Sequence, residues 1–449
     1  MEKNGSHTTL GTGNVWSLLL QYAIPSIIAM TASSLYNITD SIFIGHGVGA
    51  LAISGLAITF PLMNLAAAFG SLVGVGASTL ISLRLGQKDY SNANHILGNV
   101  FTLNLIFGIG YTVIVLLLLD PILYFFGASS ETIGYAREYM QIITLGNVIT
   151  HMYLGLNAML RATGHPQKSM YATISSVFIN AVLAYLFIFV FNWGIKGAAI
   201  ATVLAQAIML LWQIHIFSNK NNLVHLKKGI FKLNRKIVLD SLSIGMAPFL
   251  MNAASCVIII IINKGLLKYG DDLHVGAYGI VNRVAFLFVM VVMGLNQGLQ
   301  PIAGYNYGAQ QFDRVKKVLK YTILLATGIM TTGFLICEIF PHFIASVFTS
   351  DQTLISLAVS ALRIVFVFFP IIGFQMVTSN FFQSIGMAKI AIFMSLSRQV
   401  IVLLPCLLIL PHFLGVNGVW YSLPVADILS TVIATFLFLN HYKKIKVAA

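Results

Sequence analysis

Apolar stretches of at least 18 residues, set apart by short polar segments, recur from one end of the chain to the other. A helix needs about 20 mostly apolar residues to cross the hydrocarbon of a bilayer. The pattern therefore predicts membrane-spanning helices over 14–44, 51–82, 94–119, 135–160, 168–191, 194–218, 237–268, 274–304, 316–340, 357–382, 389–411 and 417–441. The first stretch is too long for a cleaved leader and has no basic segment of note before it, so it is expected to stay as a span. The fold class expected is an all-α integral membrane protein of twelve transmembrane helices.

Polar side chains inside these stretches fall at helical spacing. Ser26, Met30, Ser33, Asn37 and Asp40 form one row in the first span, Ser169, Thr173, Ser176 and Asn180 one in the fifth, and Thr202, Gln206 and Gln213 one in the sixth. Residues three and four apart share a helix face. Such faces either line a hydrated chamber or make helix–helix hydrogen bonds.

The longest hydrophilic stretch, 219–236, lies in the middle of the chain, which invites a search for an internal repeat. Gly76 and Gly298, Gly86 and Gly308, and Gly164 and Gly386 are each 222 residues apart; Gly197 and Gly418 are 221 apart, Pro25 and Pro248 223. Two halves of six spans insert in the same orientation, and parallel repeats of this kind are a transporter architecture. The expected organisation is an N-terminal six-helix lobe over 1–218, a cytoplasmic linker over 219–236 and a C-terminal six-helix lobe over 237–449, the two bundles being pseudo-symmetric.

Composition agrees: 58% of residues are hydrophobic and 9% charged, against about 25% charged in a soluble domain. The net charge of +13 does not point to nucleic acid, because the basic residues sit in short loops, where they fix topology. Lys3, Arg84, Lys88, Arg161, Lys168, Lys220, Lys227, Lys228, Lys232, Arg235, Lys236, Arg314, Lys316, Lys317, Lys320, Lys389, Lys443, Lys444 and Lys446 all fall on the side of the termini. That side is expected to be cytoplasmic, in a plasma membrane such as a bacterial inner membrane. Cys256, Cys337 and Cys406 are isolated in apolar segments and form neither a metal motif nor a disulfide framework.

Only two acids fall inside spans, Asp40 and Asp427. Arg398 lies in the span before Asp427, and a structural ion pair between them is expected, since buried charges are normally paired. Asp40 has no basic residue nearby in sequence, and at the 223-residue offset it matches Asn263, so only the first half can titrate there. An acid without a partner inside a membrane is a functional candidate. Pro25, fifteen residues earlier, cannot close an ideal helix hydrogen bond and marks an expected bend.

The segments LYNITDSIFIG, GVGASTLISLRLGQKD, LNAMLRATG and GLQPIAGYNYGAQQFDR resemble the multidrug and toxic compound extrusion (MATE) transporters, over nearly the whole chain. The resemblance implies two six-helix lobes forming a V that exports cationic amphipathic compounds in exchange for protons or sodium ions. It implies a cation site of Asp40, Asn157, Asn180 and Thr202, with sodium, if it is the ion, held by Asp40, Asn180 and Thr202. The family's second acid on helix five is missing, Ala184 standing in its place, and no acid stands where a C-lobe site would need one, at Ser255 or Cys256 and near Phe374 and Gln375.

On this reading Asp40 binds either the coupling cation or a cationic substrate, but not both. Tyr36, Asn37, Tyr139, Gln206, Met251 and Met290 are the candidates for the substrate cavity, soft or aromatic groups being suited to amphipathic cations. No cofactor and no resident metal are expected, and the protein is expected to be a monomer in the lipid bilayer. A lipid-linked saccharide flippase would want more cavity cations than Arg283 and Arg398. A membrane-embedded enzyme would need a nucleophile–base pair or metal ligands at helical spacing, and His151, the one histidine well inside a span, has no partner acid.

Overall fold

A computed structural model describes residues 5–442, apart from the side chains of residues 5–8, Asn37, Ile38 and Ala50. Lys3, Lys443, Lys444 and Lys446, and with them the ends of the chain, lie outside the described residues. The described chain is helical. A short helix α1 (Gly5–Thr12) precedes α2 (Val15–Gly47), α3 (Ala50–Gly86), α4 (Tyr90–Leu117), α5 (Leu119–Phe125), α6 (Ile133–Leu145), α7 (Asn147–Ala162), α8 (Pro166–Tyr185) and α9 (Gly194–Ser218). The second half runs through α10 (Arg235–Tyr269), α11 (Asp272–Gly308), α12 (Phe312–Ile339), α13 (Pro341–Phe348), α14 (Gln352–Phe366), α15 (Phe369–Ser384), α16 (Ala388–Leu396), α17 (Leu404–Leu414) and α18 (Val416–Tyr442). Two π-helical segments, Leu186–Val190 after α8 and Ser397–Leu403 between α16 and α17, interrupt the regular winding.

Ten helices of the described chain are long and apolar enough to cross a membrane, α16 and α17 counting as one with the π segment between them. The pair α14 and α15 makes an eleventh, bent by 52° at the break. The remaining predicted span, 135–160, is covered by two shorter helices, α6 and α7, separated by Gly146 and neither long enough to cross a membrane alone. Both broken spans break at repeat-equivalent places, Gly146 and Phe368, a feature that hydropathy does not register. The sequence reading also missed α5 and α13, which begin at the equivalent residues Leu119 and Pro341.

The repeat is visible in the backbone. Gly164 and Gly386, after α7 and α15, both adopt left-handed φ, 91° and 82°, and the next residue's N–H returns to a helical carbonyl in each case: His165 to Leu160 and Met387 to Phe382. Glycine takes this conformation without a Cβ penalty. At the turns after α3 and α11 the left-handed residues are Lys88 and Gln310 (φ 58° and 59°), two positions beyond the matched glycines Gly86 and Gly308.

The chain divides into two compact units. Of the described residues, the first holds Ile28–Phe249 with 5–13; the second holds Asn14–Ile27 with 250–442. The divide therefore falls inside α2 and α10, two residues after Pro25 and one after Pro248, and not at the hydrophilic stretch 219–236. That stretch belongs wholly to the first unit, because α4 holds its backbone. Asn94 Nδ2 donates to the Leu223 carbonyl and Asn94 Oδ1 accepts from the His225 N–H; Asn99 does the same for the Lys232 carbonyl and the Asn234 N–H; and Thr102 donates to the Phe231 carbonyl.

Within the first unit, an apolar core of Ile44, Leu62, Tyr111, Leu123, Ile133, Ala184, Phe187, Ala198 and neighbours holds α2, α3, α4, α6, α8 and α9 together. The polar faces predicted on α8 and α9 are largely buried. Ser169, Ser176, Asn180, Thr202 and Gln213 are all buried.

Candidate functional site

Asp40 sits toward the end of α2, only 5% exposed. One helical turn earlier on the same face is Tyr36, whose hydroxyl lies within hydrogen-bonding reach of the Asp40 carboxyl. The Tyr36 hydroxyl is also 2.7 Å from Thr202 Oγ1 on α9. Asn180, on α8, donates from Nδ2 to the same Thr202 oxygen at 3.1 Å. The Thr202 hydroxyl reaches the Ala198 carbonyl in its own helix at 3.0 Å, and the buried Tyr139 of α6 reaches Thr202 from another side. Four helices thus bring Asp40, Tyr36, Tyr139, Asn180 and Thr202 into one buried polar cluster.

The cluster has more acceptors than donors. Asp40 Oδ1 and Asn180 Oδ1 are both buried with no hydrogen-bond partner. Among the described residues no basic side chain pairs with Asp40. A buried acceptor without a donor costs about 1–3 kcal/mol, more when it is charged. Two orphan oxygens on one network can accept a proton or a cation. Ala184, one turn beyond Asn180, is fully buried in the apolar core and contributes no ligand. Among the described residues no group of three His, Cys, Asp or Glu could hold a metal ion.

Asn157 is held in a different network. Its Oδ1 accepts from Ser169 Oγ and its Nδ2 donates to Thr173 Oγ1 at 2.9 Å, while Arg161 Nη1 donates to Ser169 Oγ at 2.9 Å. Both ends of the Asn157 amide are engaged between α7 and α8, and no bond joins it to Asp40. Gln206 likewise makes an interhelical contact, accepting from Thr150. Helix–helix hydrogen bonding therefore accounts for Asn157 and Gln206, whereas Asp40 Oδ1 and Asn180 Oδ1 have no hydrogen-bond partner.

Of the substrate-cavity candidates, Tyr36 belongs to the cluster and Tyr139 is 1% exposed, its ring packed in the apolar core. The side chain of Asn37 lies outside the described residues. Met251 and Met290 are half-buried in the second unit. His151 is fully buried, with Nε2 2.9 Å from the Ala66 carbonyl.

In the second unit, Arg398 Nε donates to Asp427 Oδ1 at 2.8 Å, and Asp427 is 2% exposed. Asn263, the repeat counterpart of Asp40, has a buried Oδ1 without a donor. Ser255 accepts from Gln399 Nε2 at 2.8 Å. Sequence reasoning missed Arg161 and Thr150 as partners. Arg161 was readable as a loop cation only, and nothing in its neighbours reveals that it turns back to Ser169.

A family model, MatE, matches residues 25–186 and 238–408. The multidrug export protein MepA of Staphylococcus haemolyticus is 28% identical over 94% of this chain and 93% of its own length. MepA of Staphylococcus aureus strain MRSA252 is 27% identical over the same shares. Among solved structures, the MATE multidrug transporter DinF-BH is 35% identical, with a TM-score of 0.88 over 94% of this chain and 95% of that one. An outward-facing multidrug resistance MATE family transporter of the MOP superfamily superimposes with a TM-score of 0.92 at 25% identity, over 100% of this chain and 99% of that one.

Proposed function

This chain belongs to the MatE family of multidrug transporters, embedded in the membrane and not enzymes, and from that premise we propose that it is a cation-coupled antiporter. It exports cationic, amphipathic compounds, and Asp40 carries the coupling. The observation that supports this reading is the pair of orphan oxygens, Asp40 Oδ1 and Asn180 Oδ1, on a network with no basic partner.

The hydroxyls of Tyr36 and Thr202 give Asp40 a way to signal its state. With Asp40 ionised, the Tyr36 O–H donates to the carboxylate, and Thr202 turns its proton toward Tyr36. With Asp40 protonated, the acid donates to Tyr36, Tyr36 donates to Thr202, and Thr202 donates to the Ala198 carbonyl, the 3.0 Å contact described above. Each hydroxyl has one proton, so the two arrangements exclude each other. A cationic guest is favoured by the ionised state and released by the protonated one. Because coupling between two ligands is reciprocal, substrate must then weaken proton binding to the same degree.

Protons are favoured over sodium as the coupling ion, since Ala184 supplies neither the ligand nor the charge that a second carboxylate would give. Sodium, if it serves, would be held by Asp40, Asn180 and Thr202. No cofactor takes part. The bias of basic residues toward one side supports a plasma-membrane protein with both termini in the cytoplasm.

The test uses everted vesicles acidified by respiration. Addition of a lipophilic cationic dye is expected to collapse part of the pH gradient in sodium-free buffer with the native protein, and not with Asp40→Asn at equal abundance. Dye-driven proton release that survives Asp40→Asn removes Asp40 from the coupling role, and a strict need for sodium overturns the proton reading.

A further inference from the structure

The segment between α9 and α10 has a feature that transport does not use. It is an irregular stretch whose backbone polar groups are matched one by one to side chains of α4. Asn94 serves the Leu223 carbonyl and the His225 N–H, Asn99 the Ile230 and Lys232 carbonyls and the Asn234 N–H, and Thr102 the Phe231 carbonyl. Irregular backbone is tolerated at membrane depth only where protein satisfies it.

The depth can be read from α4. Its 28 residues span about 42 Å at 1.5 Å per residue, some 12 Å more than the hydrocarbon thickness of about 30 Å. Asn94 is about 6 Å from the start of the helix and Thr102 about 18 Å. The chain therefore descends along α4 from the level of Asn94 to that of Thr102, where Phe231 is held, and climbs back to Asn99 at Lys232 and Asn234. Even with all the excess length of α4 at this end, Phe231 lies below the headgroup boundary.

The side chains suit that position. Ile230 and Val224 are buried against the helix, and a Cβ on Gly98 would meet the Ile230 carbonyl at 2.2 Å, so the segment is pressed onto α4. Phe231 and Leu233 stay exposed, 44% and 41%. Around them Lys220, Lys227, Lys228, Lys232, Arg235 and Lys236 are all exposed. None of the six forms an ion pair among the described residues. An apolar tip ringed by unpaired cations is the pattern of an interfacial anchor on anionic lipid.

We infer that residues 223–234 form an apolar-tipped strap, clamped to α4 by Asn94, Asn99 and Thr102, that dips into the adjacent leaflet and binds the phosphates of anionic lipids through Lys227, Lys228 and Lys232. The partner is fixed by charge complementarity. The strap presents cations at headgroup level and hydrocarbon below it, and an anionic lipid is the ligand that meets both.

The experiment uses the full chain in vesicles. A tryptophan replaces Phe231, and its fluorescence is read as the difference from the parent protein, which has four tryptophans elsewhere. Vesicles contain phosphatidylglycerol and phosphatidylcholine in equal amounts, with bromine on the acyl chains of one or the other. A single basic group near an anionic surface gives a local enrichment of about five-fold at most, so about two-fold stronger quenching by the brominated anionic lipid is expected. Adding Lys227→Gln, Lys228→Gln and Lys232→Gln is expected to equalise the two lipids while leaving the total quenching intact. Leu233→Trp is the second reporter, in case Phe231→Trp disturbs its edge contact with Phe101. No quenching at either reporter overturns the insertion, and equal quenching by both lipids with the lysines intact overturns the anionic recognition.

Discussion

Asn180 gives an amide hydrogen to Thr202 Oγ1 at 3.1 Å, while its own carbonyl oxygen is buried with no donor. One side of the amide is thus fixed in orientation by the threonine, and the other is left available. Thr202 is the joint of the whole cluster, since Tyr36 and Asn180 both converge on its hydroxyl.

Thr202→Val keeps the volume and removes that joint. It leaves an Asn180 N–H and the Tyr36 hydroxyl short of a partner, at about 1–3 kcal/mol for each group that stays unsatisfied. The expected result is a lowered melting temperature in detergent together with loss of dye export, and Thr202→Ser is expected to restore both. If Thr202→Val melts and exports like the native protein, the hydroxyl is not the joint.

How much of this was legible in the sequence differs from residue to residue. Asp40 stood out because an acid inside an apolar span is costly; Asn180 and Thr202 lay in polar helical rows, but only the family resemblance set them beside Asp40. Whether Asp40 had a basic partner was not legible, because that depends on which helices pack around α2. Asn157 shows the same limit: its residue type suits a cation ligand, yet Ser169 and Thr173 take up both ends of its amide. Ten of the predicted spans, and an eleventh as the bent pair α14 and α15, were legible from hydropathy. The breaks at Gly146 and Phe368 were not, because a bend leaves the hydropathy of a span unchanged. The strap after α9 read as a linker, since its matches with Asn94 and Asn99 join residues about 130 positions apart.

Asp89 caps α4, its carboxylate accepting from the Asn92 N–H at 3.1 Å and the Asn92 side chain at 2.7 Å. The side-chain hydrogen bond from Asn92 holds its carboxyl below the usual carboxylate range. A lowered folded-state value means that the contribution is present above the unfolded-state value of about 3.9 and is lost as pH falls through the folded one. Asp89→Ala is expected to cost about 1 kcal/mol at pH 7. In melting curves taken from pH 7 downward, the gap between native and variant should close at the acid end. A gap that stays constant with pH removes the carboxylate from the explanation.

Gly76 lies where α3 meets the start of α10 within the first unit; a Cβ there would be 1.9 Å from the Ser241 carbonyl oxygen. Its repeat counterpart Gly298 is also closely packed in the second unit, though less so, with Ala23 Cα at 2.7 Å. Backbone, not a flexible side chain, is the obstacle at both positions. Gly76→Ala is expected to destabilise by about 1–3 kcal/mol, the usual range for overpacking. Gly110 of α4 is the control, with nothing within 4 Å, and Gly110→Ala is expected to stabilise by up to about 1 kcal/mol through helix propensity. Thermal unfolding of both variants checks the pair, and equal shifts of the same sign refute the close approach.

Ala184 allows the strictest test of the single-acid site. It lies one turn from Asn180, where a second carboxylate would bring another charge and another ligand, but its surroundings are Phe187, Ala198 and Ile44 in the closed apolar core. An acid placed in that core would cost several kcal/mol unless it takes up a proton or a cation. Ala184→Asp is therefore expected to lower abundance and melting temperature at neutral pH, with part of the loss recovered at pH 5, where the new acid is neutral more of the time. Sodium is not expected to stabilise the variant, because Ala184 is fully buried in an apolar core. A variant that folds normally and melts higher with added sodium would mean that the core opens beside Asn180. The site would then be built for two carboxylates, and the proton reading would fall with it.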